Sequence, residues 1–238
     1  MATDREPVQP GEAFDWRAFD AYLFDIDGTL LNSRDRVHYE AFLNAMQAMY
    51  GRPISLEGIT LHGSTDPLIL LEAMERAGIS PSAGRAALPE AVERMCNEVD
   101  ARASELRPEL CQDVARLLDE LDSARKLMAL ASGNVERIGW AKVRAAGIHQ
   151  YFRYGSFAGE RETRTEIFRW GANEARRLLG ADARVCCVGD TPSDVQAAHA
   201  CQLPVIAVAT GIFTSAQLCQ ERPELCIPAC EVLLRSAR

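Results

Sequence analysis

The chain has 238 residues, of which 47% are hydrophobic and 25% charged, and its formal net charge is −8. That size accommodates one large domain or a core with a smaller lobe, and the acidic balance argues against nucleic acid as a partner, because phosphate-backbone binding wants a basic face. No apolar run approaches the roughly 20 residues that span a bilayer, and Met1 to Gly11 is polar rather than a signal peptide, so a cytoplasmic protein without a membrane partner is expected.

Ala21 to Phe24 is a short apolar strand that runs straight into Asp25-Ile26-Asp27-Gly28-Thr29. Two ionised carboxylates one residue apart repel each other, so a cation or a proton is expected beside them. An Asp-Gly turn after a strand is common, and Asp27-Gly28 taken alone says little. The next interval has a different texture. Val37, Ala41, Phe42, Ala45, Met46, Met49 and Tyr50 recur with helical period and are closed by Gly51. Asp66-Pro67 reads as the N-cap and first residue of a helix over Leu68 to Ala77, closed by Gly78. Leu88 to Leu106 reads as a third helix, with Val92, Met95, Cys96 and Val99 on one face. Leu110, Val114, Leu117, Leu118 and Leu121 then form a helix that returns to the sheet.

Beyond the midpoint, strands and helices alternate. Lys126 to Ala131 is a strand, and Ser132-Gly133-Asn134 opens a helix over Val135 to Ala146. Thr165 to Leu179 is a helix, Arg184 to Val188 a strand, Ser193 to Ala200 a helix and Pro204 to Val208 a strand. Such alternation predicts an α/β fold: a Rossmann-like parallel sheet core with helices on both faces, plus an inserted all-helical cap domain. The expected division is an N-terminal extension over 1–18, a core from 19–33 and 108–238, and a cap over 34–107.

In an open parallel sheet the ligand crevice lies beyond the carboxyl ends of the strands. Ser132-Gly133-Asn134 falls there, and a hydroxyl, an unhindered backbone and a helix N-terminus suit a phosphate oxygen. Gly189-Asp190-Thr191-Pro192-Ser193-Asp194 falls there too. Thr191 to Asp194 has the form of a capping box with Pro192 at the first turn, which leaves Asp190 without a structural task. An acid at the end of a buried strand, in the crevice that holds Asp25 and Asp27, is what a Mg²⁺ site requires. The eight cysteines contain no Cys-x-x-Cys, Cys219, Cys226 and Cys230 have no histidine nearby, and the four histidines are scattered, so neither zinc nor a disulfide framework is expected.

The set DIDGT at 25 to 29, the hydrophobic strand ending in Ser132, and GDTPSD at 189 to 194 resemble the haloacid dehalogenase-like hydrolase superfamily. The likeness runs from about Phe19 to the C-terminus, in the phosphoglycolate-phosphatase-like branch with a helical cap inserted after the first strand. It implies that Asp25 is the nucleophile and a Mg²⁺ ligand, and that Asp27 is the general acid/base, giving its backbone carbonyl to the metal. Asp190 would be the other carboxylate ligand, with Asp194 ligating directly or through water. Ser132, with Gly133 and Asn134, would bind the phosphoryl group. The family also uses a lysine or arginine a few tens of residues before the last of these loops. No Lys-Pro pair occupies that interval; Lys142 reads as part of a solvated helix face. The segment Gly159 to Ile167 resembles a variant in which an arginine takes the role. Arg164, which opens the helix, is preferred to Arg161, with an exposed ion pair among Glu160, Glu162 and Glu166 as the plain alternative for either.

The implied activity is Mg²⁺-dependent hydrolysis of a small phosphorylated metabolite through an aspartyl phosphate. Asp27 counts against a dehalogenase, and a cap without lysine counts against a phosphonatase. A sugar-phosphate mutase keeps every motif and stays as the alternative; a non-catalytic binding module is disfavoured by Asp25, Asp27 and Asp190. The cap's expected specificity residues are Arg52, His62, Ser64, Thr65 and Asp66, with Asp66 more naturally a helix cap, and His38 reads as a surface residue.

Overall fold

The computed structural model describes residues 14–235, so most of the expected N-terminal extension lies outside the described residues. In chain order the elements are β1 (Ala21–Phe24), β2 (Leu31–Ser33), α1 (Val37–Tyr50), α2 (Asp66–Arg76), α3 (Pro81–Ala101), β3 (Pro108–Leu110), α4 (Val114–Ser123), β4 (Leu127–Val135) and α5 (Glu136–Ala145). They continue with β5 (Gly155–Ala158), α6 (Arg164–Leu179), β6 (Val185–Gly189), α7 (Pro192–Ala200), β7 (Val205–Val208), α8 (Ser215–Gln220), β8 (Leu225–Ile227) and α9 (Glu231–Arg235). Six strands form one parallel sheet in the order β5-β4-β1-β6-β7-β8.

β1 lies at the centre because all four of its residues are buried and alternate between two apolar layers. Tyr22 and Phe24 point to one face, together with Met128, Leu130, Cys186 and Val188, and are covered by α4 and Val143 of α5. Ala21 and Leu23 point to the other, together with Ala129, Ala131, Val185 and Cys187, and are covered by α6 and α7. The second face is built from small residues, which lets α6 approach closely: a Cβ on Gly171 would lie 3.2 Å from a Leu23 methyl. Since β4 pairs with one side of β1 and β6 with the other, the chain winds away from β1 in both directions, and a crevice opens beyond its carboxyl end.

The chain leaves the sheet through β2 and returns through β3, and these two strands pair antiparallel as a separate ribbon, Leu31 opposite Leu110 and Ser33 opposite Pro108. Between them α1, α2 and α3 bury Phe42, Met46, Leu70, Met74, Met95 and Val99 in an apolar cluster of their own. Val135 and Ile138, from the end of β4 and the start of α5, enter that same cluster.

Several elements differ from expectation. Leu110 lies in β3 and not in the returning helix, which begins at Val114. The third cap helix begins at Pro81, not Leu88: Ser80 accepts a hydrogen bond from Ala83 N–H as its cap, and Pro89 is tolerated inside the helix. β4 continues through Ser132, Gly133 and Asn134 to Val135, so these residues end a strand before α5 starts. β2, β3, β5 and β8 were not expected, being three or four residues long with no clean alternation.

Leu23 is fully buried between β1's neighbours and α6. Leu23→Ala should lower unfolding free energy by about 2–5 kcal/mol, read from the midpoint of a urea titration.

Candidate active site

The loop after β1 folds back tightly: Thr29, Leu30 and Leu31 all direct N–H groups at the Ile26 carbonyl, and Gly28 donates to the Leu31 carbonyl at 2.8 Å. The turn needs a positive φ of 84° at Gly28, and a Cβ there would sit 2.2 Å from Asp190 Oδ2. Glycine therefore lets the β1 loop and the β6 loop close on each other. Asp25 N–H is held by the Val188 carbonyl at 2.9 Å, which places its carboxylate beside Asp190.

Asp25, Asp190 and Asp194 are buried and bring carboxylate oxygens within 4.8 Å of one another. One cation faces them. Arg164 is 8% exposed; its Nη1 donates to Asp25 Oδ1 at 2.9 Å and its Nη2 lies 3.0 Å from Asp194 Oδ1. The second contact is an ion pair without hydrogen-bond geometry, so Asp194 Oδ1 stays without a hydrogen bond. Burial works against the Arg164 charge, but Asp194, Asp25 and Asp190 more than offset it and raise its pKa. Burial, then the charges of Asp25 and Asp194, push Asp190 up to about 8. Burial also pushes Asp194 up to about 6 against the lowering effect of Arg164. Three buried carboxylates with one guanidinium are short of positive charge, and the donor set is all oxygen with one oxygen unsatisfied. These residues fit a hard divalent cation such as Mg²⁺.

The capping box expected at Thr191–Asp194 is present, and Asp194 Oδ2 accepts from Thr191 N–H and Oγ. Asp194 thus caps α7 with one oxygen and turns the other to the cluster. A second capping box, Thr163 with Glu166, starts α6 and sets Arg164 as its first residue, facing inward. Arg161 is elsewhere, stacked over the Trp170 ring at 4.1 Å.

Asp27 lines the same cleft with partners of its own. Its Oδ2 accepts from Lys142 Nζ and from Asn134 Nδ2, both at 2.7 Å. Asn134 Nδ2 also reaches Ser132 Oγ at 2.8 Å, and its Oδ1 accepts from Lys142 Nζ at 2.9 Å. Burial raises the Asp27 pKa, but the charge and hydrogen bond of Lys142, with Asn134, outweigh it and hold the carboxyl below its ordinary value. Lys142 is therefore not on a solvated helix face: it is 4% exposed. A helical lysine whose neighbours in the pattern, Ile138 and Val143, are apolar could have been recognised as inward-facing from the 3.6-residue period.

A cleft of about 290 Å³ joins these groups to the cap. His62, Ser64 and Asp66 line it, whereas Thr65 hydrogen-bonds to the Glu162 carbonyl at 2.8 Å and Arg52 to the Ala77 carbonyl, both outside the cleft lining. Asp66 does not cap α2, whose N-cap is Thr65; its Oδ2 accepts the Val135 N–H at 2.8 Å and lies 3.3 Å from His38 Nε2. His38 is likewise no surface residue, since it stacks on Phe42 and faces the cleft. The cap loop presses on the segment at 132–134: a Cβ on Gly133 would lie 2.3 Å from the Ser64 carbonyl oxygen.

The family model described as haloacid dehalogenase-like hydrolase matches residues 19–202. No curated protein sequence matches the chain significantly. Among solved structures, a predicted phosphatase from Clostridium acetobutylicum is similar with a TM-score of 0.68 at 17% identity, over 92% of this chain and 97% of that one. A predicted phosphoglycolate phosphatase from Haemophilus somnus has a TM-score of 0.67 at 16% identity, over 92% and 98%. A beta-phosphoglucomutase from Clostridium difficile has a TM-score of 0.66 at 16% identity, over 90% and 93%. These likenesses show the shared fold. Among the described residues, no helix is long and apolar enough to cross a membrane.

The raised carboxyl pKa values carry a sign. Asp190 moves from an ordinary 3.8 to about 8, so its contribution to stability is complete below about pH 4 and is lost as pH rises through 8. In metal-free protein the Tm should therefore fall between pH 5 and pH 8.5. Added Mg²⁺ should raise Tm more at pH 8.5 than at pH 5, measured by differential scanning calorimetry; an equal shift at both would count against this cluster as the cation site.

Proposed function

We propose that this chain, which belongs to the haloacid dehalogenase-like hydrolases, is a Mg²⁺-dependent phosphatase that hydrolyses a small phosphomonoester through a phosphoryl group carried on Asp25. One observation supports this most: the Asp25 carboxylate, buried at the floor of the cleft, has Arg164 on Oδ1, while the Asp27 carboxylate and the Ser132 hydroxyl stand around the same space. Asp25, Asp190 and Asp194 would hold Mg²⁺, which supplies positive charge to the transferring phosphoryl oxygens when bound.

In the first half-reaction an Asp25 oxygen bonds to phosphorus and the bond from phosphorus to the leaving oxygen breaks; Asp27, held ionised by Lys142 and Asn134 in the unliganded protein, takes the proton of the phosphomonoester monoanion and delivers it to that oxygen. In the second, Asp27 takes a proton from water, the water oxygen bonds to phosphorus, and the Asp25 carboxylate is released with inorganic phosphate. Arg164 neutralises charge on Asp25 and on the phosphoryl group in both steps, and Ser132 donates to a phosphoryl oxygen.

A sugar-phosphate mutase would need one further cation, to hold the second phosphate of a bisphosphate. Among the described residues lining the cleft, the only lysine and arginine are Lys142 and Arg164, and each is already paired with an aspartate. That pairing favours hydrolysis over transfer and a leaving group without a second strong negative charge. A screen of phosphorylated metabolites with Mg²⁺, scored for free phosphate, tests the reading. Release of phosphate from none of them would end it.

The two acids have separable jobs. Asp25→Asn should abolish turnover, since an amide oxygen is a poor nucleophile, whereas Asp27→Asn should lose roughly 10²–10⁴-fold. With an aryl phosphate, whose leaving group needs little acid assistance, the Asp27 variant should accumulate one phosphoryl group on Asp25 after acid quench, seen by intact mass and peptide mapping. Phosphate on any other residue would refute the assignment.

Arg164→Ala should lower kcat/KM by orders of magnitude, because it removes the one guanidinium on Asp25. Arg161→Ala, which removes only a stacked surface cation, should leave the rate within about threefold. Steady-state kinetics on the same aryl phosphate compares them.

A further inference from the structure

Lys142 is an unusual residue to find where it is. It lies nearly two turns into α5, on a face otherwise occupied by Ile138, Gly139 and Val143. That face packs directly on the sheet, for a Cβ on Gly139 would lie 2.4 Å from the Phe157 ring. Side chains on a helix tilt toward its N-terminus, so the long lysine stem runs back along α5 and delivers its ammonium to the end of β4. There Nζ donates to Asp27 Oδ2 and Asn134 Oδ1, its two acceptors among the described residues.

Stability does not account for this arrangement. Taking an ammonium out of water is costly, a buried ion pair often returns no more than its desolvation penalty, and an apolar side chain of similar length would fill the space. The pair is also lopsided. Lys142 is 4% exposed on its side chain while the Asp27 side chain is 40% exposed, so one end is fixed in the packed interior and the other opens on the cleft. Asn134 completes the fixture: its amide nitrogen donates to the same Asp27 oxygen and to Ser132 Oγ, tying the acid to the Ser132 loop. Both donors engage Oδ2, and among the described residues Oδ1 has no hydrogen-bond donor.

We propose that Lys142 is a positioning residue which, with Asn134, clamps Asp27 by Oδ2 and holds Oδ1 toward the leaving and attacking oxygens above Asp25. This rests on the phosphatase reading given above. Lys142 does not touch substrate in this role; it acts through Asp27 alone. A carboxylate on a short, half-exposed side chain has several rotamers, and fixing one of them is the kind of orientation on which rate depends steeply.

The test is a double-mutant cycle of wild type, Lys142→Met, Asp27→Asn and the double variant, on 4-nitrophenyl phosphate and on phenyl phosphate with Mg²⁺. Lys142→Met should lower kcat about 10- to 10³-fold, within the span of acid–base assistance, with KM changed less than about threefold. The loss should appear on both substrates, because the attacking water needs a correctly placed Asp27 whichever group leaves. The double variant should be no slower than Asp27→Asn, because both remove the same contribution. Multiplied losses, or a raised KM with kcat retained, would overturn the proposal and make Lys142 a substrate contact.

Crystal structures of wild type and Lys142→Met supply a readout independent of turnover. The Asp27 carboxylate should leave its wild-type rotamer in the variant, and an unmoved carboxylate would overturn the clamp. Should wild type hydrolyse no phosphomonoester, the phosphatase reading fails while this comparison still decides the positioning role. If Lys142→Met does not fold by circular dichroism, Lys142→Gln enters the same cycle and the same crystal comparison under the same criteria.

Discussion

The structure is organised around one excess of negative charge. Asp25, Asp190 and Asp194 sit in the interior, and a single guanidinium, Arg164, bridges two of them. Carboxylates do not collect in a low-dielectric interior unless protons, cations or both compensate them. Here the compensation is partial: one fixed cation, two acids with elevated pKa and one oxygen without a hydrogen bond. Much of the local architecture serves to hold that group together. The glycine at 28 lets two loops touch, the α6 capping box aims Arg164 inward, and the α7 capping box occupies one oxygen of Asp194 while the other faces Arg164 and the cluster.

Asp25 and Asp27 experience opposite surroundings although one residue separates them. Asp25 shares a buried space with two other acids and one arginine. Asp27 has a lysine and an amide to itself and opens on the cleft. The strand ends at Phe24, before both, so their side chains need not stay on one face, and the tight turn at Ile26 sends each to a different set of partners. A pair of similar acids can divide nucleophilic and proton-transfer work only if their environments differ in this way.

Much of this was readable from residues alone because it depends on short, local rules. An apolar run ending in Asp-x-Asp-Gly, a Thr-Pro-x-Asp capping box and strictly alternating strands and helices announce the sheet and its crevice without long-range information. The parts that were not readable depend on packing between distant segments. Asp66 looks like an N-cap beside Pro67, yet its carboxylate is drawn to Val135 N–H across the cap–core boundary. His38 looks exposed on an amphipathic helix until Phe42 and Asp66 close around it. The helical period could have turned Lys142 inward, but its partner Asp27, 115 residues away in sequence, is not readable from any local rule. The short strands β2 and β3 escape detection for the same reason, because each is defined by the other.

Helix α5 belongs to two structures at once. Val143 is part of the sheet's core, Ile138 and the preceding Val135 are part of the cap's core, and Arg137 reaches across to Glu93 and Asp100 on α3. A cap that swung away as a separate body would have to pull Ile138 and Val135 out of an apolar cluster and expose them to water. The loop at 61–66 is tied to the core as well, through Thr65 on the Glu162 carbonyl and Asp66 on Val135 N–H, so the apolar and polar contacts together make the cap and the sheet one packed body.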